Sequence, residues 1–174
     1  MAKSNLFIIA SVLLCFFAFF CSVNGQKEEE LVVQGSVYCD TCDVQFVTRL
    51  SEPMAGATVR LRCMDAENPK NITLDKEGTT DENGVYKIVV DGDHAEEVCE
   101  VVPIKSSKED CAEWDEAKHL QQSAKISITN KNGMKARLRS ASPMGFSRKQ
   151  PLAECAEALK EIGLKPDGTP LDDK

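Results

Sequence analysis

Apolar and polar side chains alternate along most of this chain, and only one stretch has convincing helical spacing. The alternation is clearest at residues 57–63, where Ala57, Val59, Leu61 and Cys63 take one parity and Thr58, Arg60 and Arg62 the other. A period of two puts the first set against a core and the second in water, as in a half-buried antiparallel strand. Residues 31–39 read as an earlier strand in which Gly35 predicts a bulge or kink. Residues 44–50 predict another, with Val44, Phe46 and Thr48 alternating against Gln45, Val47 and Arg49. Asn83-Gly84 lies between two β-rich runs and predicts a hairpin into a strand at 85–90. A further strand is predicted at 98–104, with Pro103 indicating a sheet edge or a bulge. Residues 124–129 alternate again, and Asn132-Gly133 predicts a second hairpin into 134–138.

Between these runs, 51–56 is a connection broken by Pro53 and Gly56, 64–76 a polar surface loop, and 142–146 irregular. Residues 107–120 fit either a short helix capped by Ser107 and Asp110, with Cys111, Trp114 and Lys118 along one side, or a loop pinned by Cys111. The helical stretch is 151–162, where Leu152, Cys155, Ala156, Leu159 and Ile162 share a face, Pro151 suits the first turn and Gly163 the stop. The expected fold is mainly β: an antiparallel β-sandwich or small β-barrel of about seven strands with one C-terminal helix. Residues 26–163 form the single domain, and 164–174 read as a flexible tail.

The N-terminus changes how the composition is read. Lys3 precedes a weakly polar to apolar run from Leu6 to Phe20, and small residues follow at Val23 and Gly25, which describes a secretory signal peptide over 1–25. A spanning helix needs about 20 apolar residues and a basic flank, which this run lacks. Its removal leaves 149 of 174 residues, enough for a core, and predicts a product secreted to the extracellular space with no membrane attachment. The remaining 20 basic against 28 acidic side chains, without a basic block, argue against nucleic acid as a partner.

Six cysteines then remain: Cys39, Cys42, Cys63, Cys99, Cys111 and Cys155. An even count in an exported chain predicts three disulfides, with 15 connectivities open. Asn71-Ile72-Thr73 is a glycosylation sequon suited to the same compartment. Cys39 and Cys42 have the spacing of a redox pair or of half a zinc site. No second pair or spaced histidines complete a zinc set; the two histidines, His94 and His119, fall in different predicted loops. No helical pattern follows the pair, as a thioredoxin-type motif requires. In an extended chain, residues three apart lie ~10 Å apart on opposite faces, too far for a mutual disulfide, so each should bond to a different partner.

Other candidate chemistry is weaker. Asp81-Glu82-Asn83-Gly84 lacks the ligand series of a calcium loop, and Asp91-Gly92-Asp93-His94 needs nothing beyond a turn. No G-x-S-x-G elbow is present, and the lone Trp114 suits core packing or loop anchoring. Neither a catalytic residue, a metal site nor a cofactor is expected.

Gln34-Gly35 and Val37-Tyr38-Cys39-Asp40-Thr41-Cys42 resemble the signature of the pollen allergen and extensin family, with Asp43 where the family usually has arginine. The segments 53–63, 81–86 and Pro143-Met144-Gly145-Phe146 leading to Cys155 are similar to its remaining blocks, and all six cysteines find counterparts. The resemblance implies the pairings Cys39 with Cys111, Cys42 with Cys155, and Cys63 with Cys99. It also implies a secreted, commonly N-glycosylated plant protein without enzymatic activity, linked to pollen hydration and pollen tube growth. Its partner would be an extracellular protein, either a receptor kinase ectodomain or a cell-wall component. The proline-rich repeats of extensin-like members are missing, which weakens a cell-wall role. Within this expectation the predicted turns offer Asp81, Asn83, Asp91 and His94 as partner contacts. Two rivals are a thiol–disulfide enzyme using Cys39 and Cys42, and a carrier of a small apolar ligand inside the barrel.

Overall fold

The computed structural model describes residues 30–114 and 123–171. The signal segment 1–25, Lys118 and His119 lie outside the described residues. Nine strands are present among the described residues: β1 Leu31–Asp40, β2 Glu52–Pro53, β3 Thr58–Asp65, β4 Ile72–Thr79, β5 Val85–Val90, β6 Glu97–Lys105, β7 Ala124–Ile126, β8 Leu138–Ser140 and β9 Met144–Ser147. One helix follows, α1 Cys155–Glu161.

The strands form two sheets that enclose one core. In the first, the early half of β1 lies between β5 and β8, and its later half between β2 and β9. The second has the order β4-β3-β6-β7. Val33 and Val37 from β1, Tyr86 and Val90 from β5, Val59 and Leu61 from β3, and Val101 from β6 are fully buried. The parity at 57–63 is realised, with Val59, Leu61 and Cys63 buried and the arginines between them outward. Those side chains pack together in the interior between the sheets.

Gly35 makes no bulge, because β1 and β5 stay in continuous register from Leu31 opposite Val90 to Ser36 opposite Val85. Its role is close approach. A Cβ at 35 would stand 2.6 Å from Cζ of Tyr86, whose ring lies across the glycine from the paired strand. The same device recurs between β1 and β9, where a Cβ on Gly145 would stand 2.9 Å from the Tyr38 ring.

Several expectations are corrected. Residues 44–50 form turns, with Asp43 at φ 55° and Gln45 at φ 65°, because local hydrogen bonding to Asp40 competes successfully with a strand. Residues 64–76 are only partly loop, since β4 pairs with β3 from Ile72 onward. The polar residues of β4 are those of an outer face, where Arg60 bonds Asp75 at 3.4 Å and Glu77 at 2.6 Å. Neither Asn-Gly turn closes a paired hairpin: β4 belongs with β3 but β5 with β1, and β7 belongs with β6 but β8 with β1. The turns are real; the chain uses them to change sheets.

The sheet containing β1 is mixed rather than antiparallel, since β8 and β9 run parallel to β1. Residues 142–146, read as irregular, contribute most of β9. Pro103 does mark an irregularity, for the β3–β6 register shifts between Thr58 and Val59, which face Lys105 and Pro103. The segment 107–114 is a loop pinned by Cys111. The helix begins at Cys155, four residues later than predicted, and Ala158 takes the buried place expected for Ala156. Gly163 ends it at φ 79°. Residues 164–171 form a closed turn, with Lys165 N–H donating to Thr169 at 2.7 Å and Leu171 N–H to Gly163 at 2.8 Å. That arrangement satisfies backbone groups which a flexible tail would leave to water.

Candidate functional site

The stretch with the family signature is paired on both sides and bridged to two distant segments. Tyr38 and Cys39 pair with Pro53 and Glu52 on one side of β1, while Val37 to Asp40 pair with Met144 to Ser147 on the other. The sequence blocks around Pro53 and around Pro143–Phe146 are thus its two neighbours in the sheet. Cys39 joins Cys111 across 72 positions and Cys42 joins Cys155 across 113. Cys63 joins its cross-strand partner Cys99. These are the pairings that the resemblance implies, although the chain is not extended through Cys42: β1 ends at Asp40 and a turn follows.

Asp40 organises that turn. It is 1% exposed, and its carboxylate accepts the N–H groups of Cys42 at 3.1 Å and Gln45 at 2.6 Å. Burial pushes its carboxyl above the ordinary aspartate range, against the lowering effect of the Gln45 and Cys42 donors. Neighbouring Tyr38 is pushed up to about 12 by burial and by the Asp40 charge. Thr41 donates its hydroxyl to the Leu50 carbonyl at 3.0 Å, and its own carbonyl accepts Leu152 N–H at 3.0 Å. Cys42 and Thr41 therefore anchor the segment leading into α1, a helix too short to persist by its own propensity.

Thr80 performs a similar service nearby. It donates to Met54 carbonyl at 2.5 Å and accepts Ala57 N–H at 2.9 Å. The structural importance of Asp40, Thr41 and Thr80 was not evident from periodicity. The only sequence signal was a short polar side chain beside a strand end.

The turns expected to meet a partner do not lie together. Asp81–Gly84 precedes β5 and Asp91–His94 follows it, so a strand of ~20 Å separates them. Asp81 turns its carboxylate inward on its own loop, accepting the N–H groups of Asn83 at 2.9 Å and Val85 at 3.0 Å. Both donors meet the same oxygen, Oδ1, and hold the turn closed. Gly84 at φ 73° is buried against β1, where its carbonyl accepts Val37 N–H at 2.8 Å. Asp91 is exposed and pairs with Lys76 at 3.2 Å, while Asp93 pairs with Lys131 at 2.6 Å.

His94 points inward. Its Nδ1 lies 2.8 Å from Glu97 Oε2 and its Nε2 3.2 Å from the Asp91 carbonyl. Glu97 also receives the hydroxyl of Thr73, the third residue of the sequon. Donor atoms of Cys63, His94 and Glu97 lie within 4.8 Å of one another, but the Cys63 sulfur is bonded to Cys99 and cannot act as a thiolate ligand. Asn71 itself is exposed just ahead of β4.

With this geometry in place, comparison with known proteins decides the family. The family described as "Pollen protein Ole e 1 like" matches residues 29–163. The chain belongs to the Ole e 1-like pollen protein family. It is similar to an Olee1-like protein of Betula pendula, with 46% identity over 169 residues covering 96% of this chain and 98% of the relative. It is also similar to the pollen allergen Che a 1 of Chenopodium album, 42% identical over 164 residues covering 94% of this chain and 96% of that one. Among solved structures, the major plantain pollen allergen Pla l 1 superposes with a TM-score of 0.65 at 34% identity, over 73% of this chain and all of the other. In this Ole e 1-like chain, the motif Cys39–Cys42 is a structural corner whose sulfurs lead to two distant segments.

Proposed function

We propose that this chain is a secreted, non-enzymatic recognition module of the pollen extracellular space. The observation that carries this reading is the commitment of Cys39 and Cys42 to two separate bridges, with 2% and 3% exposure. A thiol–disulfide enzyme needs an accessible sulfur and a nearby resolving partner, and this pair offers neither in its bonded state. Three long-range bridges also suit an oxidising compartment. The signal-like segment 1–25 supports export, and exposed Asn71 supports glycosylation. The pollen names of the relatives support the tissue.

The module acts on an extracellular protein partner, a receptor kinase ectodomain or a cell-wall component, in pollen hydration and pollen tube growth. Asp91 is exposed, whereas His94 serves the loop that presents it.

Protein isolated from its native tissue tests the reading. The expected product starts at Gln26, carries a glycan on Asn71 and has no titratable thiol before denaturation. Crosslinking on germinating pollen should capture an extracellular protein, with capture reduced by Asp91→Lys. A retained N-terminal segment, or a Cys39 thiol that titrates in the native protein, overturns the proposal.

A further inference from the structure

The Cys39–Cys111 bridge does more than close a loop. It holds residues 106–114 against β9, where Glu113 and Ser147 exchange two backbone hydrogen bonds of 3.0 Å. This sets Trp114 beside Phe146, with ring centroids 5.8 Å apart and planes tilted by 53°. Ser106 braces the same loop from below by donating to the Cys111 carbonyl at 2.8 Å. Between this loop, Phe146 and the end of β6 lies a pocket of about 500 Å³, walled by Pro103, Ile104, Lys105, Ala112, Trp114 and Phe146.

The pocket has the composition of a small-molecule site: a concave apolar surface with few polar groups. Its size fits a ligand of one or two rings. Trp114 offers an aromatic face, and Ile104, 40% exposed, offers an aliphatic wall that is left in water. The Ser106 hydroxyl is already engaged within the loop, so Lys105 is the polar group left to orient a ligand. Its ammonium has no ion-pair partner among the described residues, in contrast to Lys108, which bonds Glu52 at 2.6 Å.

We propose that this pocket binds a small planar aromatic acid, with the ring between Trp114 and Ile104 and the anionic group at Lys105. The proposal is independent of the protein partner discussed above, and uses a face distant from Asp91. The chain as a whole carries a net charge of −7, so long-range attraction does not favour an anion. Affinity must come from ring burial and one local charge, which sets the dissociation constant on the order of 100 μM.

The lone tryptophan makes the test direct, because a labelled sample gives a single indole N–H resonance. The disulfide-intact protein is titrated with 2-naphthoate while that resonance is followed. The expected result is a saturable shift, with affinity about fivefold weaker for 2-naphthalenemethanol, which lacks the charge. Lys105→Glu should weaken naphthoate binding at least about fivefold and Ile104→Asp about tenfold. Lys87→Glu makes the same charge change at an exposed position of β5 and should leave it unaltered. A shift that never saturates, or equal naphthoate affinities for Lys105→Glu and Lys87→Glu, overturns the proposal.

Discussion

The two ends of the sandwich are secured by different physics. At the end where β1 finishes, two disulfides span 72 and 113 positions, and Asp40, Thr41 and Thr80 bind backbone groups from distant segments. At the opposite end the covalent link is the shorter Cys63–Cys99 bridge, spanning 36 positions. There the loops depend on side chains instead. His94 and Glu97 tie 91–97 to Thr73, and Arg139 collects the carbonyls of Ala136 and Thr129. Arg139 is 2% exposed, and its Nε has no hydrogen-bond partner in this arrangement. Long-range covalent links hold the first end together in addition to its hydrogen bonds. The second relies on buried polar groups whose partners must all be in place.

The largest effect expected is the joint substitution Cys42→Ser and Cys155→Ser. Chain entropy for that loop predicts a loss of about 4–5 kcal/mol, and hydrogen exchange at Ala158 and Leu159 should rise as α1 undocks. The Cys63–Cys99 bridge closes a shorter loop, so its removal should cost less by urea unfolding. The reverse order would break the contrast between the ends.

Arg139→Met probes the far end next. Freeing the Thr129 and Ala136 carbonyls should cost about 2 kcal/mol, with amide shifts confined to residues near 128–137. Shifts spread through the core would mean that the guanidinium supports the sandwich and not just the loop.

Asp40→Asn returns to the signature end and should cost about 1 kcal/mol, because an amide supplies one acceptor where two are used. The native state binds the Asp40 proton more tightly than the unfolded chain. That contribution to stability is therefore full below the ordinary aspartate value of about 3.9 and is lost as pH rises through the raised value. Urea unfolding should accordingly give a narrower gap between native and Asp40→Asn protein at pH 7 than at pH 4. An equal gap would show that burial does not dominate this carboxyl.

The smallest effect is expected at Tyr86. Its hydroxyl is buried without a hydrogen-bond partner, and burial pushes its ionisation far upward. Tyr86→Phe should change stability by no more than about 0.5 kcal/mol in either direction. A clear loss would reveal an acceptor reaching that hydroxyl.

Much of the fold was legible because burial leaves a local trace. The parity of residues 57–63, the turns at Gly84 and Gly133, and the stop at Gly163 all follow from neighbours in sequence. Residues 44–50 misled because alternation there competes with a carboxylate that accepts nearby N–H groups. At β4 the polar composition hid a strand whose charges pair across the sheet surface. The site was legible in the cysteines but not in Thr80, Glu97 or Arg139, whose roles depend on atoms brought from elsewhere.

Sequence alone determined which side chains of β3 face the core, since that parity is set within a few residues. It also supplied six cysteines and the family's blocks. Tertiary structure decided their partners: β8 and β9 parallel to β1, turns that change sheets, and a tyrosine laid across each of two glycines. Strand pairing and bridge formation depend on Cα atoms approaching within a few ångströms across tens of intervening residues, and no local pattern encodes that distance.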